Sequence, residues 1–132
     1  MLNGSCLCGT VAYEIHGEPL VMYYCHCGSC RKATGSAFAT NIAVRTEDLR
    51  IVAGREQLGS FESSPEKRRY FCSRCGSPIY SHGEATRQIV SVRSGTLDDD
   101  PPIRPAVHAW VASKAAWYEI RDDLPQAPES FA

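Results

Sequence analysis

The sequence predicts an all-β fold organised as one domain over residues 1–132, with one or two short helical turns. Two observations carry the fold class: about nine short runs rich in β-branched and aromatic residues, each bounded by Gly, Pro or charges, and no long helical period competing with them. The chain length supports the single domain, since 132 residues can bury one modest core but not two.

The runs follow in order. Val11–Ile15, Val21–Tyr24 and Ala37–Val44 occupy the first third, and Leu49–Ala53 and Gln57–Phe61 the next. Arg69–Phe71, Ile79–Ser81, Ile89–Val92 and Val107–Val111 complete the set. Helical turns are expected at two places: through Arg31-Lys32-Ala33 after Cys30, and over Ser113–Trp117 with Ser113 as a capping residue. Asp98-Asp99-Asp100-Pro101-Pro102 must be a loop, and Leu124–Pro128 reads as an irregular tail. Tyr23, Tyr24, Tyr70, Tyr80, Trp110 and Trp117 sit at strand or turn positions and are expected to serve the core.

Composition narrows the function classes. The chain is 43% hydrophobic and 22% charged, values of a globular protein. No apolar run approaches the roughly 20 residues of a membrane span, and Met1-Leu2-Asn3-Gly4 leads into cysteines without a signal-type stretch, so a cytoplasmic location is expected. A formal net charge of −1 supplies no field to gather nucleic acid. Lys67-Arg68-Arg69 and Arg31-Lys32 are small basic clusters, read first as solvated surface.

Seven cysteines is the unusual count, and an odd number argues against a fully paired disulfide framework. They fall into Cys6-x-Cys8-Gly9, Cys25-x-Cys27-x-x-Cys30 and Cys72-x-x-Cys75-Gly76. A structural zinc takes four ligands in a tetrahedron, so the two doublets combine into one closed site and the triplet stands alone. Three thiolates with an exchangeable fourth position match a catalytic ion. The alternative is a second closed site whose fourth ligand is His82, His108 or His26. Three thiolates on Zn²⁺ leave a charge of −1 and a poor activator of water, so the open site favours a thiol as fourth ligand.

Gly4–Tyr13 (GSCLCGTVAY), Cys25–Ser36 (CHCGSCRKATGS) and Phe71–Pro78 (FCSRCGSP) resemble the glutathione-dependent formaldehyde-activating enzyme family, whose relatives include centromere protein V. Ser94–Asp98, His108–Val111 and Ser113–Glu119 are similar to the second half of that family. The resemblance implies a β-tent fold of small antiparallel sheets around zinc. It places Cys6, Cys8, Cys72 and Cys75 on a structural ion, and Cys25, Cys27 and Cys30 on a catalytic one. The activity implied is condensation of glutathione with formaldehyde to S-hydroxymethylglutathione, a carbon-sulfur lyase reaction.

Glutathione carries two carboxylates and one ammonium, so cations and free amides are expected beside the open face, with Arg31, Lys32 and Ser36 nearest in sequence. His26 and His108 are the candidate proton donors, although His26, between two ligands, is expected to point away from the metal. His16, before a Gly turn, is expected at the surface. The competing function is a non-catalytic, zinc-stabilised binding module of the same fold.

Overall fold

Alternation along the strands, more than their composition, decides what this chain buries. The computed structural model of the protein describes residues 1–131. It contains ten strands: β1 (Leu2–Ser5), β2 (Ala12–Ile15), β3 (Val21–Cys25), β4 (Ala39–Arg45), β5 (Leu49–Ala53), β6 (Leu58–Ser64), β7 (Lys67–Cys72), β8 (Pro78–Gly83), β9 (Ile89–Arg93) and β10 (Pro105–Ala109). One helix, α1 (Gly28–Thr34), lies between β3 and β4. The all-β expectation holds.

The strands form a three-stranded sheet, β1-β2-β5, and a seven-stranded sheet, β10-β3-β4-β9-β8-β7-β6. The pairings are antiparallel except β10 with β3, which is parallel, a departure from the purely antiparallel expectation. Leu2, Tyr13 and Ile15 of the small sheet meet Ile42, Val44, Val90, Val92 and Ile79 of the large one in the main core. Side chains one position along lie on the opposite face. There the cross-strand partners are polar: Arg69 opposite Ser81, Ser81 opposite Ser91, and Arg93 opposite Asn41, which in turn faces Tyr23. The large sheet thus has an apolar face and a polar face, and the polar row runs toward Cys25, which pairs with Ala39.

β1 went unpredicted because Leu-Asn-Gly-Ser has weak strand propensity. It forms because Gly4 pairs with Tyr13 and the tyrosine ring lies across it; a Cβ built on Gly4 would stand 2.1 Å from Tyr13 Cζ.

Helix α1 begins at Gly28, two residues before Cys30. Cys27 caps it, its sulfur accepting from Cys30 N at 3.3 Å, and Gly35 ends it at φ 65. The turn expected over Ser113–Trp117 is found only in part, as a non-helical turn at Ala116 and Trp117 in which Tyr118 N donates to Ala115 O at 3.2 Å. A 3₁₀ turn spans Val111–Ser113, so Ser113 is its last residue and not its cap. The cause is Trp110, whose positive φ of 59 bends the chain directly after β10.

The tail then returns along β10. His108 N donates to Pro125 O, Ala127 N to His108 O and Trp110 N to Glu129 O. Trp110 and Trp117, expected in the core, are 36% and 74% exposed. No helix among the described residues is long and apolar enough to cross a membrane.

Candidate metal and thiol site

Two turns at the ends of hairpins bring the doublets together. Cys6 and Cys8 lie between β1 and β2, Cys72 ends β7, and Cys75 lies in the turn to β8. All four sulfurs fall within 4.8 Å of one another. Cys6 and Cys8 are 3.6 Å apart and Cys8 and Cys72 3.9 Å. A tetrahedron with Zn–S bonds of about 2.3 Å has edges of about 3.8 Å, so the spacing fits that ion. Val11 N donates to Cys6 Sγ at 3.2 Å, and the Gly76 N–H closes the second turn on Cys72 O. Hydrogen bonding from Ser77 lowers the Cys75 thiol to about 5, and Thr10 lowers Cys8 in the same way. Such groups favour thiolates, the form that binds metal.

The triplet is built differently. Cys25 is the last residue of β3, Cys27 is the helix cap, and Cys30 lies in the first turn of α1, so a strand end and a helix start aim three sulfurs inward within 4.8 Å of one another. Cys25 and Cys30 are buried, Cys27 is half-buried, and Tyr23 and Ala39 pack around them. Cys27 is driven well below the ordinary thiol range by its contacts with Cys25 and Cys30 and by the Arg69 charge. Cys25 is pushed up by the same sulfur contacts. One sulfur of the group therefore ionises first, and the others hold the shared protons until a cation displaces them.

No histidine nitrogen joins this cluster among the described residues. His82 Nε2 donates to Arg87 O at 2.7 Å, remote from the triplet. His26 and His108 engage each other, Nε2 to Nδ1 at 2.8 Å, and Asp122 accepts from His108 Nε2 at 2.9 Å. Among the described residues no histidine closes the second site. Both rings are fully buried, whereas Asp122 reaches the surface. Burial, followed by the charges of His108 and Lys114, lowers His26 to about 4, so its imidazole is neutral at pH 7. The Asp122 carboxylate fixes a proton on His108 Nε2, and His108 Nδ1 shares one hydrogen with His26 Nε2. The remaining nitrogen, His26 Nδ1, is buried without a partner.

His26 packs against Phe38, His108 and Tyr118, while the neighbours of Cys25 are Cys30, Ala39, Tyr23 and Cys27. The two side chains thus leave the backbone on opposite sides. His16 is half-buried and bonded to Glu14 Oε1 at 2.8 Å. On α1, Lys32 is exposed beside a groove shared with Ser29, Phe61 and Arg69. Arg31 Nε is buried without a partner. Ser36 Oγ donates to Phe38 O at 2.8 Å and accepts from Phe38 N, so its hydroxyl is occupied in its own turn.

Arg69, Arg93 and Asp122 were missed in the sequence. Arg69, placed with the solvated basic cluster, is 5% exposed and sets both terminal nitrogens 3.7 Å from Cys30 Sγ. Arg93 is equally buried, donating to Asn41 Oδ1 at 2.8 Å and Ser91 O at 3.2 Å. Alternation offered a signal: Arg69 and Phe71 share one face of β7, opposite to Arg68 and Tyr70.

Comparison with known proteins adds to this geometry. A family model described as "Glutathione-dependent formaldehyde-activating enzyme" matches residues 1–113. A Halomonas elongata protein, provisionally named for that activity, is 32% identical over 129 residues, covering 91% of this chain and 81% of its own. A Podospora anserina protein of the same provisional name is 27% identical, over 86% of this chain and 49% of its own. A Rhodobacter sphaeroides protein of known crystal structure is 27% identical, superposes with a TM-score of 0.64, and is matched over 76% of this chain and 91% of its own.

Proposed function

Because the chain belongs to the glutathione-dependent formaldehyde-activating enzyme family, we propose that it is a zinc-dependent enzyme of the carbon-sulfur lyase type. It joins a small thiol such as glutathione to formaldehyde or a related electrophile, and cleaves the same adduct in reverse. The observation that carries this reading is the triplet: three converging sulfurs with no fourth protein donor among the described residues. Cys6, Cys8, Cys72 and Cys75 would hold a structural zinc, and Cys25, Cys27 and Cys30 a second one.

When bound at the triplet, zinc would hold the substrate sulfur as thiolate at neutral pH. The chain's own residues supply the rest. Cys25 and Cys30, buried under Tyr23 and Ala39, keep water from one side of the cluster. Arg69, against Cys30 Sγ, offsets the accumulated negative charge. As the sulfur–carbon bond forms, the carbonyl π pair moves to oxygen and a proton must reach it. The pair His26 and His108, tied to Asp122 at the surface, is the proton donor proposed here. Arg31 and Lys32 on α1 remain the cations proposed for thiol recognition, together with the segment reaching Ser36. A thiol-rich, metal-dependent site of this kind belongs in a reducing compartment such as the cytoplasm.

Cobalt substitution tests the reading. Glutathione should change the visible charge-transfer spectrum of the cobalt protein but not that of Cys27→Ala. Metal analysis should give two zinc ions per chain, one lost first to a chelator. A wild-type spectrum indifferent to glutathione and to other small thiols would leave the non-catalytic binding module.

A further inference from the structure

A cavity of about 270 Å³ opens on the polar face of the large sheet, beside α1. Phe61 and Phe71 line it from the Arg69 side of β7, and Tyr70 and Tyr80 border it. Its polar lining is cationic, for Arg69 and Arg93 both reach it. Each arginine is 5% exposed, each has a buried Nε–H without a partner, and neither pairs with a carboxylate among the described residues. A guanidinium held away from water with donors unused is costly unless an anion completes it.

The cysteine triplet supplies part of that anion. Arg69 Nη1 and Nη2 lie 3.7 Å from Cys30 Sγ, so Arg69 joins the cavity to the cluster. Three thiolates around a divalent ion sum to −1, while the two guanidiniums sum to +2. One positive charge remains, at the wall of an otherwise apolar cavity. A one-carbon aldehyde has no need of such a space, and an apolar ligand would leave that positive charge without a counterion.

We propose that this cavity is a carboxylate subsite, in which Arg69 and Arg93 receive the acid group of a small thiol whose sulfur enters the open position beside Cys30. This rests on the triplet being the thiol site, and it narrows the substrate class: the thiol bears a carboxylate a short distance from its sulfur, with its carbon chain against the aromatic walls. Paired charged hydrogen bonds give the acid its advantage, and Arg69 links recognition of the acid to the place where the sulfur binds. Arg69 and Arg93 are specificity residues in this scheme and take no part in bond making.

The test compares 3-mercaptopropionate with 3-mercaptopropionamide, equal in shape and different in charge, on the cobalt-substituted protein. The acid should bind at least about tenfold more tightly, a difference of about 1.4 kcal/mol. Arg69→Met should erase the preference for the acid, and Arg69→Lys should keep part of it. Equal affinities for acid and amide in wild type would overturn the carboxylate subsite and leave the thiol site standing. If neither thiol changes the spectrum, the thiol reading fails. Propionate then decides the subsite alone: in the ¹⁵N-labelled zinc protein it must shift the Nε–H signals of Arg69 and Arg93, and unmoved signals would refute it. The wild-type measurements hold even if Arg69→Met fails to fold.

Discussion

Replacing Gly4 by alanine tests how the small sheet is seated. A methyl there would lie 2.1 Å from Tyr13 Cζ, 2.3 Å from Oη and 2.6 Å from Cε1, separations no carbon tolerates. The ring has little freedom to yield, because Tyr13 is 1% exposed and its hydroxyl lies 2.6 Å from Thr96 Oγ1. Overpacking of this kind costs about 1–3 kcal/mol, and losing the buried hydrogen bond adds about 1 kcal/mol, so Gly4→Ala should cost about 2–4 kcal/mol. Urea unfolding of the zinc-loaded protein measures it, provided the transition is two-state. The control is Tyr13→Leu, which removes the far end of the ring. In that background Gly4→Ala should become nearly neutral, or favourable by a few tenths of a kcal/mol as alanine orders the strand. A penalty that is the same in both backgrounds would show that the ring is not the obstacle.

Other outcomes follow from the same contacts. Cys72→Ser removes a donor from the four-sulfur site and should abolish stable folding, since structural zinc contributes on the order of 10 kcal/mol in small modules; Cys30→Ser should stay folded with weaker metal binding at the triplet, and equal unfolding of both in circular dichroism would contradict the division into two kinds of site. Burial pushes the Tyr13 hydroxyl up to about 12 from its ordinary value near 10. The unfolded chain therefore loses that proton first, and stability should fall as pH rises from 10 toward 12, by on the order of 2–3 kcal/mol in all. Tyr13→Phe should flatten this alkaline limb, and an unchanged slope in urea midpoints would count against it. The His108 hydrogen bond holds the Asp122 carboxyl below its ordinary range. Its stabilising effect is complete above the unfolded carboxylate value and fades as pH falls through the folded one. Imidazole ¹⁵N spectra should show His108 protonated on Nε2 in wild type and a mixed tautomer in Asp122→Ala; protonation on Nδ1 alone in wild type would refute the hold of Asp122 on that proton.

The strands and the grouping of the cysteines were legible because both depend on local pattern. Val21–Tyr24 or Ile89–Val92 announces itself by composition, and Cys72-x-x-Cys75-Gly76 by its turn. β1 was illegible since Gly4 has meaning only under the Tyr13 ring, a contact between two strands. Arg69 was misplaced because Lys67-Arg68-Arg69 looks like solvated charge until the pairing of β7 with β6 and β8 fixes which of the three faces inward. The histidine chain was half visible: His26 and His108 are conspicuous residues, but Asp122 reaches them only because the tail runs back along β10. Trp110 and Trp117 misled for the complementary reason, as aromatic character says nothing about a chain reversal at Trp110.

The four-sulfur cluster draws on partners 64 positions apart, Cys8 and Cys72. On a ribosome adding about 5–20 residues each second, the first pair of thiols waits roughly 3–13 s for the second. Throughout that interval Cys6 and Cys8 are a vicinal pair without their cation, open to oxidants and to competing soft metals. The β1–β2 hairpin is meanwhile held only by its pairing with β5. With zinc at this cluster as proposed, maturation is timed by emergence of the β7–β8 turn, and the supply of zinc at that moment, more than the speed of strand pairing, should set the yield of native molecules.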